Sequence, residues 1–390
     1  VRVEALMLTA LLWGSGLAHA DPVERDWVLL YWMAYDNNLE VFEAPITDML
    51  AEGVTTPDIA VVVVADRRAD DGLTRTVLLQ DERVSEDFRD AEGSADVDVL
   101  AEQMAWVEAN LPAERYAVVF LNHGGALGEM SLDEHPEPGG DNWLYVPEMA
   151  AVVSDFNART GGAVELLFFQ QCGKGAIENY YESRHAASVI MASQTVVGAP
   201  NHYYAPALQA LGANPDVDGR ELARLISVHE TPEMFTTYTA LSSDALDELP
   251  GRLDPVLEPL LAQNGLTFPV HTTVSFATGN EPFADLLETL ELLYDQVGSD
   301  EVVAFGQWMQ QELILEHRVS PRAPHARSWS GVSVLVPSDV AYLSARYPDY
   351  ALYADSLLDE LWGHVEWPAP ELSMKRRRRR RRRRSASKTR

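Results

Sequence analysis

The chain has one cysteine, Cys172, in 390 residues. No intramolecular disulfide can form, which excludes a small secreted scaffold stapled by disulfides. Positive charge is also scarce: 30 Lys and Arg stand against 60 Asp and Glu, a net charge of −30. Twelve of the basic residues lie from Lys375 onward, nine of them the run Arg376–Arg384, so the body before it holds 18 basic against 60 acidic residues, or −42. A body this acidic repels nucleic acid and anionic membranes. It suits a basic substrate, calcium or a saline medium, or serves only as a solubilising surface. Beyond the N-terminal segment no stretch offers 18 uncharged apolar residues, so no membrane-spanning helix is expected. Apolar and aromatic residues are plentiful: 46% hydrophobic, with 9 Trp, 14 Tyr and 11 Phe. That excludes a disordered protein and predicts a large core.

The two ends differ from the middle. Arg2, an apolar run from Ala5 to Trp13 and the small-x-small triplet Ala18-His19-Ala20 before Asp21-Pro22 read as an export signal. At the other end, Pro368-Ala369-Pro370 closes the folded pattern. The Arg run behind it cannot pack and is expected to be disordered. It is either a solvated tail or one that docks on the acidic body, an anionic surface or nucleic acid. It carries no aromatic residue for base stacking.

Between the ends, short apolar runs alternate with amphipathic stretches. Trp27–Met33, Ile59–Ala65, Tyr116–Leu121, Val164–Phe169 and Val189–Ala192 are too continuously apolar for half-exposed strands and read as buried ones. Gly331–Val336 reads as a late sixth. Helical periodicity fills Leu39–Leu50, Val99–Leu111, Val146–Phe156 and Ala176–Ser183. The alternation predicts an α/β fold with a mostly parallel sheet covered on both faces. Residues 205–320 are more helical and less regular, as a helical insertion or subdomain would be.

In such sheets the reactive groups sit just past the carboxyl ends of strands. Two ends stand out: Leu121-Asn122-His123-Gly124-Gly125 and Phe169-Gln170-Gln171-Cys172-Gly173-Lys174-Gly175. If these strands are neighbours, His123 and Cys172 face one crevice. An imidazole moves protons near neutral pH and a thiolate attacks a carbonyl. A helix start after Cys172, and Lys174 if it points inward, would lower the thiol's pKa. The main-chain NH groups of Gly124 and Cys172 would then form an oxyanion hole. Each residue alone has a plainer reading: a single cysteine is most often a small buried hydrophobe, and a strand-end histidine a hydrogen-bonded core residue.

The order of several blocks resembles the clostripain-like cysteine peptidases, relatives of the caspases, legumains and gingipains. Leu30–Glu40 is similar to the family's opening strand and its Asp-Asn-Asn-Leu-Glu. Arg115 to Gly124 is similar to the strand with the catalytic histidine. Cys172 followed by Glu178 and Tyr181 is similar to the nucleophile helix, and Ser193-Gln194 to the Ser-Gln that ends the next strand. Gly331–Pro337 and Tyr347–Trp362 are similar to the late strand and the closing aromatic segment. The resemblance runs from about Asp26 to Trp362. It implies a caspase-hemoglobinase-like three-layer sandwich and peptide-bond hydrolysis. Cys172 would form a thioester and His123 protonate the leaving amine, with the NH groups of Gly124 and Cys172 on the oxyanion. Gln170, Ser193 and Gln194 would line the substrate pocket, and Glu178 and Tyr181 would support the nucleophile helix. The expected organisation is a signal peptide over 1–20, a clostripain-like domain over 21–367 and an Arg-rich tail over 368–390. Such a protein would be secreted or periplasmic, take a protein or peptide substrate and require no cofactor.

Two departures bear on specificity. The family usually has an acid two positions before the nucleophile, where this chain has Gln170. It usually has Gly-Asp-Gly-Trp after Ser-Gln, where this chain reads Ala199-Pro200-Asn201-His202. A carboxylate on a guanidinium is a strong charge-assisted contact, and glutamine offers only a neutral one. Weakened preference for cleavage after Arg follows. A catalytically impaired binding or scaffold protein stays open as the alternative. Members can also bind calcium. Asp133, Glu134, Glu137 and Asp141 offer oxygen ligands between the two catalytic strands, without EF-hand order, and read equally as a solvated loop.

Overall fold

Every residue from Trp27 to Tyr35 is buried, although the side chains alternate in direction. The reason is that both faces of this strand are covered. Val28, Leu30, Trp32 and Ala34 join one hydrophobic cluster, while Trp27, Leu29, Tyr31, Met33 and Tyr35 join a second. Each fully buried Val, Leu or Phe in these clusters contributes about 1.5–3 kcal/mol. The computed structural model describes residues 24–67, 72–89, 93–136, 140–268, 281–297, 300–337 and 340–366. The expected export signal, Glu137 and the Arg tail lie outside them.

The described strands are β1 (Arg25–Tyr35), β2 (Ile59–Arg67), β3 (Leu73–Leu79), β4 (Glu82–Arg89), β5 (Ala113–Leu121), β6 (Glu129–Leu132) and β7 (Trp143–Tyr145). They continue with β8 (Val164–Gln170), β9 (Val189–Ala192), β10 (Thr237–Ser242), β11 (Phe283–Asp285), β12 (Ile314–Val319) and β13 (Ser333–Leu335). Nine form the central sheet in the order β12-β10-β9-β8-β5-β1-β2-β3-β4. Its middle, β2-β1-β5-β8-β9, is parallel. Both margins are antiparallel. The five early runs read as buried strands are the five parallel ones.

Helices α1 (Glu43–Gly53), α2 (Val97–Asn110), α3 (Val146–Arg159), α4 (Ile177–Glu182), α5 (Tyr204–Ala213) and α6 (Gly219–His229) cover the two faces. α2, α3 and α4 bury their apolar side chains in the first cluster, and α1, α5 and α6 in the second. Local chemistry fixes their starts. Asp96 accepts from the NH of Asp98, and Asp218 from that of Glu221, each at 2.8 Å, so donors with no intrahelical partner are satisfied. Pro147 opens α3, where its missing NH costs nothing.

Residues 205–320 are rich in helix but also supply β10 and β12 to the sheet. The late run Gly331–Val336 departs from its expected place. Its strand β13 pairs with β11 in a separate two-stranded sheet, and the NH of Ser333 donates to Gly175 O at 2.8 Å. The margin next to β10 is already taken by β12. Gly331, at φ 95°, turns the chain away so closely that a Cβ there would stand 2.5 Å from His317 Nδ1.

Candidate active site

β5 and β8 are parallel neighbours, with Leu121 opposite Gln170. His123 and Cys172 each lie two residues further along, so the register carries both to the same level at the carboxyl ends. The two loops touch. A Cβ on Gly124 would come within 2.1 Å of the Cys172 carbonyl oxygen and 2.9 Å of Lys174 Cε. Only glycine permits this approach.

The histidine side is built from the end of β1, which flanks β5. His123 is half-buried, and its Nε2 lies 2.8 Å from Asn38 Oδ1. That amide oxygen can only accept, so Nε2 carries the proton and Nδ1 is the basic nitrogen. The residue preceding His123, Asn122, holds φ at 152°. Its side chain accepts from Asn37 Nδ2 at 3.0 Å and donates to Leu132 O at 2.8 Å. It also donates to Ala34 O. Burial pulls the imidazole below its usual range, against an opposing pull from Glu134. Asn38 lies three residues past β1, inside the Asp36–Glu40 block that resembles the family's Asp-Asn-Asn-Leu-Glu, but nothing in the sequence placed it beside His123.

The thiol departs from expectation. Cys172 is half-buried, and its Sγ lies 3.4 Å from both the NH and the carbonyl oxygen of Val197. Val197 is held there by its neighbours: Thr236 N donates to Val196 O at 3.1 Å, Gly198 N to Met234 O at 2.7 Å, and Gly173 N to Thr195 O at 2.8 Å. Burial pushes the thiol pKa up, and the Val197 bond and the charge of Lys174 only partly oppose it. The expected lowering by a helix start does not arise, since α4 begins only at Ile177 and is six residues long. Burial thus favours the neutral form of both groups, the thiol and the imidazole.

Gln170, Ser193 and Gln194 are all buried, so none of the three presents its side chain at an open pocket. Gln170 Oε1 accepts from Tyr203 OH at 2.5 Å, and its Nε2 donates to Asn201 Oδ1 and to Tyr204 OH, both at 2.6 Å. Asn201 in turn donates to Glu230 Oε2 at 2.5 Å and Tyr238 OH at 3.1 Å. Gln194 Nε2 donates to Asp285 Oδ2 at 3.0 Å. Ser193 O receives the NH of Gly175 at 2.8 Å. The buried acids Glu230 and Asp285 carried no sequence signal, because both come close only through chain more than 25 residues away.

Glu178 and Tyr181 tie α4 to the C-terminal segment. Glu178 Oε1 accepts from Leu335 N and from Tyr353 OH, both at 3.0 Å, and Tyr181 OH donates to Asp355 Oδ2 at 2.9 Å. Burial pushes the Glu178 carboxyl from 4.5 to about 7. The folded chain then holds this proton more tightly than the unfolded one. Its contribution is present below the unfolded value and is lost as pH rises through about 7. Glu178→Gln cannot ionise. Its melting temperature relative to the parent should therefore improve between pH 5 and pH 8 in thermal scans, and a pH-independent difference would contradict this.

The described part of the acidic loop does not assemble a calcium site. The Asp133 carboxylate is buried and accepts from His135 N at 2.9 Å and Ser94 Oγ at 3.4 Å, while Glu134 and Asp141 are exposed. Among the described residues no group of three or more His, Cys, Asp or Glu is placed to hold a metal ion. No described helix is long and apolar enough to cross a membrane.

Residues 31–264 match the profile of the clostripain family. An inactive zymogen C11 protease from Parabacteroides distasonis is similar in structure, with TM-score 0.65 and 18% identity over 86% of this chain and 99% of its own. A secreted C11 cysteine protease from Bacteroides thetaiotaomicron, in complex with an irreversible peptide inhibitor, gives TM-score 0.65 and 19% identity over 85% and 99%. No curated protein matches the chain. At these identities the solved structures establish a shared fold, the caspase-like α/β sandwich expected from the sequence. The profile covers more than half of the chain, and on that ground the chain belongs to the clostripain family of cysteine peptidases.

Proposed function

We propose that the chain is an exported endopeptidase that cleaves peptide bonds through Cys172 and His123. The observation that carries this is the shared register of the two residues beyond β5 and β8, with Gly124 packed on the Cys172 carbonyl. Nδ1 of His123 takes the thiol proton as Sγ attacks the carbonyl carbon. It returns that proton to the amine as the C–N bond breaks, leaving a thioester that water hydrolyses. The NH groups of Gly124 and Cys172 receive the developing oxyanion. Asn38 holds the ring so that Nδ1 faces the reaction. Glu178 and Tyr181 act as structural support. Export is supported by the Ala18-His19-Ala20 triplet, and a similar structure is that of a secreted enzyme. Preference for Arg is weakened, because Gln170 is neutral and both ends of its amide are already engaged.

One observation favours the alternative of a binding or scaffold protein without turnover: the thiol lies against Val197 with its pKa raised. A peptide acyloxymethyl ketone library separates the two. The parent should label and Cys172→Ala should not. Folded parent protein that neither labels nor digests casein, with or without calcium, would overturn the peptidase reading.

A further inference from the structure

Two residues past the thiol, Lys174 is fully buried. Its Nζ donates to Ala126 O at 2.6 Å and to Leu127 O at 3.0 Å. Those carbonyls belong to the loop between β5 and β6 that carries His123. The same two residues are gripped from the other side: Ala126 N donates to Glu129 Oε2 at 2.9 Å, and Leu127 N to Glu281 Oε2 at 2.7 Å. An ammonium on the carbonyls and two carboxylates on the NH groups thus hold one short piece of backbone. Arg346 closes the cluster, lying 2.8 Å from Glu129 Oε1 and 3.2 Å from Glu281 Oε1. With Lys174 protonated, two cations face two carboxylates, and such pairing is the condition under which buried charge is tolerated.

We propose that Lys174 is a positioning residue, a buried cation that clasps the His123 loop against the Cys172 loop and so sets the distance between imidazole and thiol. The inference rests on the reading of Cys172 and His123 as the reacting pair. The clasp spans the contact that Gly124 makes with Cys172 and with Lys174 Cε. A misplacement of about 1 Å between reacting groups can cost about 100-fold in rate. An uncharged residue of similar shape would fill the space but leave two buried carbonyls without their donor.

The charge also makes the clasp sensitive to pH. The titratable groups facing Lys174 are Cys172 on its own loop, Glu129 on β6 and Glu281 before β11; Arg346, Tyr342 and Tyr347 stand behind the carboxylates. Burial pulls the ammonium down to about 7, against the opposing pull of Glu129, Glu281 and Cys172. As pH rises through that value the cation is lost, its attraction to both carboxylates goes, and the grip on the loop weakens.

The test is peptide turnover by the full chain from pH 5.5 to 9.5, for the parent, Lys174→Met and Glu129→Gln. The parent should decline on the alkaline side near neutrality. Lys174→Met should lose at least about 10-fold in kcat at pH 6 with KM little changed, and should lack the alkaline decline. Glu129→Gln removes a carboxylate that helps Lys174 keep its proton, so the decline should move to lower pH by half a unit or more. A folded Lys174→Met with the parent's kcat and pH profile would overturn the inference alone. If Lys174→Met fails to fold, an unmoved break in Glu129→Gln overturns it. A parent that neither labels nor turns over peptide defeats the underlying reading and this one with it.

Discussion

Alanine at Gly124 should cut peptide turnover by about 100- to 1,000-fold and slow labelling of Cys172 to a similar degree. The added Cβ would sit 2.1 Å from the Cys172 carbonyl oxygen, which is backbone and cannot rotate away, and 2.9 Å from Lys174 Cε. The loops after β5 and β8 must then part by an ångström or more. That movement separates imidazole from thiol and takes the Gly124 NH away from any oxyanion held beside Cys172. Overpacking of this kind also costs about 1–3 kcal/mol of stability. The sheet register beneath depends on other residues, so the variant should keep its fold by circular dichroism. Gly251→Ala is the matched control: nothing stands within 4 Å of a Cβ there, and it should remain fully active. A Gly124→Ala enzyme within threefold of the parent would mean that the two loops do not meet in the working enzyme.

The parallel middle of the sheet is legible in the sequence because burial on both faces leaves runs such as Ile59–Ala65 with no polar residue. The margins are not. Glu82–Arg89 reads Glu-Arg-Val-Ser-Glu-Asp-Phe-Arg, and its pairing with β3 is fixed by the short connection rather than by a hydrophobic pattern. β12 is half-exposed along its whole length and equally silent. The short β11 gives no sign that it would draw Gly331–Val336 into a second sheet. The site divides in the same way. The placement of His123 and Cys172 just past the ends of two strands was legible, because strand ends are local facts. The direction of the thiol's pKa was not, since burial by segments that arrive from elsewhere outweighs the Val197 bond and the Lys174 charge. Lys174 does lend its charge to the thiol, but the bonds of its ammonium to the carbonyls of Ala126 and Leu127 carry no signal in the sequence. Sequence supplies the residue type at such a position. The direction of a long side chain is decided by which buried acceptors the fold brings within reach.

The same distinction governs the acid missing two residues before Cys172. Gln170→Glu restores a carboxylate there, yet it should not create an Arg-specific enzyme. The Gln170 amide sits within a buried cluster in which each neighbour has a matched role. Its Nε2 donates to Asn201 Oδ1 and Tyr204 OH, and a carboxylate oxygen in its place would face the Asn201 oxygen acceptor to acceptor. Glu230 is already on the far side of that amide, and burial already pushes its pKa up. Two carboxylates would then share one asparagine. The least costly response is for one of them to keep a proton, so stability should fall as pH rises through that raised pKa. We expect Gln170→Glu to lose about 2–4 kcal/mol in urea unfolding at pH 8 and markedly less at pH 5. Adding Glu230→Gln should recover part of the loss, with a coupling of about 1–3 kcal/mol in a double-mutant cycle. In competition between fluorogenic Arg and neutral-residue peptides, neutral substrates should dominate for parent and variant alike. A Gln170→Glu enzyme as stable as the parent at pH 8 and newly dominated by Arg turnover would show instead that position 170 opens onto the substrate, with Tyr203 and Tyr204 standing aside when peptide binds.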